Sequence, residues 1–239
     1  MIRFVRKEIF KFRKEKIKYC LLVLCIPTII SFLMYAFNEK YDLVEWDGYL
    51  NNIITFLNYI VCSIVYGIIT AYTFGHEYET KTINILFTYP INRMKILMSK
   101  LLFIFIIIVS TLVGIFLLSI GLGLLIKHES LTAAIFLYYL GAFIKMMVFH
   151  FMLICIVSAV AISSKSVLPA IIFIISVSFA NLVVVNTKIA SFYPWSAPIL
   201  LSPHENVGRN YVPSLFCMVS LIIIFIIGVG ISIKKYKYI

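Results

Sequence analysis

Charge is what this chain has least of. Asp, Glu, Lys and Arg make up 13% of its 239 residues, against 62% apolar residues and a mean hydropathy of +1.04. A soluble domain of this length needs a charged surface that so few ionic residues cannot supply. All ten acidic residues lie outside the long apolar runs. That removes the carboxylates which ion-coupled transport and intramembrane aspartyl proteolysis need near the bilayer midplane. The five cysteines (Cys20, Cys25, Cys62, Cys155, Cys217) sit within or at the ends of apolar runs, without a C-x-x-C pair. They read as small buried thiols, not as a metal site. No G-x-x-x-x-G-K-[ST] loop, G-x-S-x-G elbow or H-E-x-x-H pair occurs, so nothing looks like a nucleotide cradle or a catalytic centre. An ATPase or nuclease activity is expected only from another chain.

What the chain does have is six apolar runs: Tyr19–Phe37, Ile53–Phe74, Leu101–Ile126, Leu140–Ile162, Val167–Asn186 and Val212–Ile233. Each is close to the ~20 residues that span a hydrocarbon core about 30 Å thick. The predicted fold is an all-α membrane protein with six transmembrane helices. Pro27 and Pro169 fall where a local kink is tolerated if neighbours satisfy the freed backbone groups. The basic start followed by an apolar run is a retained first span, because the charged region is too long and no small-residue cleavage site follows.

Orientation follows from Lys and Arg. Sixteen lie in the N-terminus, the second and fourth loops and the tail; four (Lys40, Lys127, Lys188, Arg209) lie on the other side. That other side opens with an acidic loop, Glu39, Asp42, Glu45 and Asp47. The bias predicts that both termini are cytosolic, with Trp46 and Trp195 at the outer interface. The net charge of +11 flanks apolar runs without exposed aromatics between, which argues against nucleic acid as a partner.

Residues 1–18 carry Ile2, Val5, Ile9 and Phe12 on one stripe of a helix, with Arg3, Arg6, Lys7, Lys11, Arg13 and Lys14 on the other faces. Such a helix lies in the inner headgroup layer, as an elbow that moves with the first span or as a passive anchor. Polar groups inside the spans are few: Asn58, Thr70, Asn181 and several serines. Lys145 and His150 stand out in the fourth span. They line a polar path, or else Lys145 snorkels to the outer headgroups and His150 is a hydrogen-bonded neutral imidazole. His128 and His204 fall in outer loops with no obvious partner.

Between the second and third spans the chain reads GHEYETKTINILFTYPINRMKILMSK. A helix is predicted over residues 77–89, with Glu77 and Glu79 in its first turn complementing the dipole, Ile83, Leu86 and Phe87 on one face, and Pro90 ending it. Asn92 is placed to cap the third span and Arg93 to open it. An amphipathic helix here suits either a knob that takes force from a soluble partner or an interfacial helix with no partner.

The order Glu77, Thr82, Leu86, Pro90, Arg93, Lys100 resembles the region of the coupling helix in permease subunits of type-2 ABC exporters. Six spans, inward termini, a basic N-terminal helix and a longer fifth loop are also similar to that family. The family pattern has a small residue, often glycine, where this chain has Lys81; Lys-Thr-Ile variants resemble the bacitracin and lantibiotic self-protection subgroup. The resemblance implies one permease domain over 1–239, with an elbow at 1–18, a coupling segment at 77–90 and an outer segment at 187–211 that is re-entrant in the family. An ordinary interfacial loop is the other reading of 187–211.

It further implies that an ATP-binding subunit docks on Glu77, Glu79, Thr82, Ile83, Leu86, Phe87, Pro90 and Arg93. A second permease, identical or related, completes the pathway, and ATP and Mg belong to the partner subunit, with no cofactor on this chain. The cargo is expected to be amphipathic, such as a peptide antibiotic, with Asn58, Lys145 and Asn181 as candidate pathway residues in a bacterial plasma membrane. Two other readings compete: a non-transporting scaffold or sensor subunit, and a lipid-acting enzyme using His76 with Glu77. Adjacent helical residues point about 100° apart, which makes that last pairing awkward.

Overall fold

The computed structural model describes residues 2–37, 45–83, 92–126, 129–201 and 214–237. Among them the fold is all-α, and six helices are long and apolar enough to cross a membrane. Hydrocarbon offers backbone groups no water, so a chain without a closed sheet must pair them within helices.

The helices overrun the apolar stretches that the hydropathy marks. The second span is Trp46–Glu79, the third Arg93–Gly123 and the fourth Ala133–Ser164. Thirty-four residues in the second reach about 50 Å, roughly 20 Å beyond a hydrocarbon core. Those extra turns carry Asp47 at one end of the bundle and Glu77, Arg93 and Lys100 at the other.

The first span, Lys16–Ala36, winds as a 3₁₀ helix to Cys25 and as an α-helix from Ile26. Pro27 stands in the first turn of the α segment, where its missing N–H costs little. Pro169 likewise falls in the first turn of the fifth span, Val167–Val184. The second span contains a π turn at Leu57–Val61, a feature that opens the helix ladder and often marks functional positions. The sixth span is Ser214–Lys237.

The second and fourth spans are the most enclosed, and the first, fifth and sixth turn most of their surface outward. The fourth span packs along the sixth and the second, and the second along the fifth. At Gly228 a Cβ would stand 2.6 Å from the backbone nitrogen of Ile156, so only glycine lets the sixth span approach the fourth this closely. One turn on, Ser158 and Ser232 share a hydrogen bond of 3.1 Å across the same seam.

The elbow helix Ile2–Lys14 joins the end of the second span and the start of the third at one end of the bundle, called here the elbow end. At the far end, Trp46 Nε1 donates to the Glu129 carbonyl at 2.9 Å and Tyr139 donates to the Asp47 carbonyl at 3.1 Å. Residues 188–200 fold back there as short helical turns, held by Tyr193 donating to the Val177 carbonyl at 2.6 Å. Residues 202–211, the rest of the predicted outer segment, lie outside the described residues.

The tryptophans depart from expectation. Trp46 and Trp195 are 2% and 3% exposed, enclosed by the chain itself. Trp46 meets Tyr49, and Trp195 meets Phe173 and Tyr193. Their large ring area is satisfied by packing on aromatic neighbours, not by the lipid interface.

Candidate functional site at the elbow end

Lys100 is fully buried, although it occupies a turn that hydropathy assigns to the mouth of the third span. An ammonium so placed survives only if its protons are all received. Lys100 Nζ lies 2.9 Å from Glu77 Oε1, 3.5 Å from Glu8 Oε1 and 2.8 Å from the Thr73 carbonyl oxygen. The Phe74 ring lies 5.6 Å from it, within cation–π reach. Glu77 Oε1 also receives Lys11 Nζ at 3.0 Å. Two lysines and two glutamates from the elbow, the second span and the third span thus form one charge-balanced joint.

The elbow's orientation explains how. Its inward face is Phe4, Val5, Glu8, Lys11, Phe12 and Glu15, which recur at three- and four-residue spacing. Phe12 meets Phe103 edge-on at 5.6 Å. Glu15 accepts from the Tyr72 hydroxyl at 2.8 Å. The predicted apolar stripe is therefore only half right: Val5 and Phe12 turn inward, whereas Ile2 and Ile9 are exposed. Lys11, expected on a solvated face, turns inward because Glu77 waits there.

The predicted helix over 77–89 also needs correction at its start. Glu77 and Glu79 belong to the last turn of the second span, which ends at Glu79. Thr80 folds its hydroxyl back on the His76 carbonyl at 2.8 Å, and Lys81 takes a left-handed backbone with φ 57°. That geometry is costly for any residue with a Cβ and free for glycine. It supplies the physical reason for a small residue at this position. Helical geometry resumes at Thr82 and Ile83, with Thr82 Oγ1 3.4 Å from the Glu77 carbonyl oxygen and Ile83 buried. Leu86, Phe87 and Pro90 lie outside the described residues.

Glu79 does not serve a helix of its own either. Its Oε1 accepts from Ser166 Oγ at 2.6 Å and from the Val167 backbone N–H at 2.8 Å, so it caps the fifth span from the second. Gly75 allows this: a Cβ there would stand 2.7 Å from Val167 N. Asn92 caps the third span as predicted, its side chain accepting from Met94 N at 2.9 Å. Arg93 donates to the Lys237 carbonyl at 3.2 Å and so ties the third span to the end of the sixth.

The candidate pathway residues do not converge. Asn58, in the π turn, donates to the Pro198 carbonyl at 3.3 Å and pairs with His150 Nε2 at 3.0 Å. Asn181 donates to the Tyr59 carbonyl at 3.1 Å. Both are buried tethers between segments, whereas Lys145 is exposed on the fourth span. Beside the π turn a cleft of about 390 Å³, walled almost wholly by apolar side chains including Pro27, Phe56, Tyr59 and Leu182, opens between the first, second and fifth spans. His76 stacks on Tyr72 at 4.5 Å while Glu77 is engaged by lysines, so the two do not share a site for lipid chemistry. Among the described residues no cluster of His, Cys, Asp and Glu has metal-binding geometry.

The sequence reading missed Glu8 and Glu15, the only acids in the first eighteen residues. Their seven-residue spacing around Lys11 was the available signal. Lys100 was named for its place in the motif, with nothing to show that it was buried.

Six apolar helices with their charges gathered at the ends define a multi-pass protein of the cell membrane. The chain belongs to the ABC-2 family of transporter proteins, which it matches over residues 4–181, from the elbow helix into the fifth span. It is also similar to the bacitracin transport permease protein BCRB of Bacillus licheniformis. The two are 28% identical over 182 residues, which cover 75% of this chain and 86% of that protein. The chain is accordingly a transmembrane subunit of a transporter.

Proposed function

We propose that this subunit works in an ATP-driven exporter, whose separate ATP-binding subunit docks at the elbow end on the segment that starts at Thr82. The Lys100–Glu77–Lys11–Glu8 joint, built around the buried Lys100 and Glu77, carries this reading. It ties the elbow, the second span and the third span together within a few residues of that segment. A push delivered there reaches three membrane elements at once. Glu79 extends the connection to the fifth span, and Arg93 extends it to the sixth.

Docking residues in this proposal are Glu77 and Glu79 as the rigid base, and Thr82, Ile83, Leu86, Phe87, Pro90 and Arg93 around the contact. ATP and Mg reside on the partner, and a second permease, a copy or a relative, completes the pathway. The elbow end faces the cytosol, as the excess of Lys and Arg there supports. The cargo is an amphipathic peptide antibiotic of the bacitracin or lantibiotic kind. The similarity to the bacitracin permease supports that choice, and the apolar cleft beside the π turn suits such a molecule better than a small ion.

The test is co-purification with the ATP-binding subunit that this proposal requires, for the wild type and for Leu86→Asp with Phe87→Asp. Loss of association and of ATP-dependent resistance is expected; full retention of both sinks the docking assignment. Cargo-stimulated ATP hydrolysis in reconstituted vesicles distinguishes the exporter from a scaffold subunit, which gives none.

A further inference from the structure

We propose that the far end of the bundle holds a site for the headgroup of a zwitterionic aminophospholipid, with the ammonium among Asp47, Asn51 and Tyr138 and the phosphate at Lys145. A cavity of about 380 Å³ opens there between the first turns of the second and fourth spans. Asp47 and Asn51, four residues apart and so on one helix face, form one wall; Tyr138 and Tyr139 form the other. The Tyr139 hydroxyl is spent on the Asp47 carbonyl at 3.1 Å, which fixes the two walls against each other. The Asp47 side chain is exposed, and among the described residues no cation stands within ion-pair distance of it. The Asn51 Oδ1 is buried with no hydrogen-bond partner among the described residues. A carboxylate, an unsatisfied amide oxygen and the exposed ring of Tyr138, set at 88° to Tyr139, make an acceptor set for an N–H-bearing cation.

The second half of the site lies along the fourth span. Tyr138, Gly141 and Lys145 stand at i, i+3 and i+7, one face of the helix, and Tyr138 and Lys145 are both exposed. Nothing lies within 4 Å of where a Cβ on Gly141 would be, so an open slot separates the ring from the lysine. Lys145 lies about 10 Å deeper than Tyr138, and helical side chains lean toward the N-terminus, here toward the cavity. A phospholipid presents its ammonium outermost and its phosphate one step deeper, in the order of these two charges. The same placement gives the lone exposed charge of the fourth span a partner.

The experiment reconstitutes the full chain in vesicles of phosphatidylethanolamine and phosphatidylglycerol in equal parts, extracts it gently, and counts retained lipids by native mass spectrometry. Wild type is expected to retain phosphatidylethanolamine over phosphatidylglycerol. Asp47→Asn and Lys145→Gln, both at exposed positions, should each lower that retention by about tenfold, the size of one charge-assisted hydrogen bond. Replacing phosphatidylethanolamine by phosphatidylcholine, which has no N–H to donate, should also lower it. Equal retention of the two lipids by wild type overturns the proposal, as does wild-type preference in either variant. A lysine-rich peptide displacing the lipid equally from wild type and Lys145→Gln would make the cavity an ammonium site alone and also overturn it.

Discussion

Replacing Lys100 by methionine is the sharpest test of the buried joint. The substitution keeps the side chain long and apolar but deletes one of two positive charges, leaving Glu77 with Lys11 alone and taking from Glu8 its contact with Lys100. Removing one partner of a buried ion pair costs about 3–5 kcal/mol, because the survivor stays buried and uncompensated. For a chain of this length each kcal/mol moves a midpoint by roughly 2–4 °C, so Lys100→Met should unfold about 10 °C below wild type. Glu77→Gln alone should also be damaging, since it leaves the buried Lys100 only the longer 3.5 Å contact with Glu8 and the Thr73 carbonyl. The double variant removes one charge of each sign from the buried pair, leaving neither uncompensated, and should recover much of the loss. A coupling of at least about 1.5 kcal/mol is expected between the two positions. The assay is thermal unfolding of the detergent-purified chain by size-exclusion retention after heating. A Lys100→Met midpoint within a degree of wild type would refute the argument. So would a double variant no more stable than the worse single one.

Three further outcomes follow from the same geometry. Lys81→Gly should be tolerated, since relief of about 1 kcal/mol of left-handed strain offsets a glycine entropy cost of roughly the same size; Lys81→Val should lower the midpoint, and thermal unfolding of both reads the difference. Gly75→Ala should push the second span off the fifth, and faster amide exchange at Val167 would report loss of the Glu79 cap; unchanged exchange there contradicts the close approach. His150→Leu should destabilise by about 1–3 kcal/mol, by removing the buried hydrogen bond between His150 and Asn58, and Asn58→Leu should cost at least as much because it also breaks the bond to the Pro198 carbonyl, both measured by the same unfolding assay.

The spans were legible because crossing a membrane is decided by local composition, and the Asn92 cap because capping is a contact two residues long. Helix ends were not. An apolar run stops where the bilayer stops, but hydrogen bonding along the backbone carried the second span on to Glu79. That is why Glu77 and Glu79 proved to be the end of one helix and not the beginning of another. Asn58 and Asn181 were visible as rare polar groups in apolar runs, yet their partners, Pro198 and Tyr59, lie 140 and 122 residues away. Composition cannot foretell such pairings.

By itself the amino-acid order settled that this is a six-span helical membrane protein with its basic residues gathered on one side, since transfer to hydrocarbon is priced residue by residue. Tertiary structure alone decided which charges leave water. Read singly, Lys11 and Lys100 are cations that belong in solvent; folded, Lys100 is buried against Glu77 and Lys11 leans onto the same carboxylate from a half-exposed position, because attraction at close range depends on distance through space, and distance through space is not written in sequence separation.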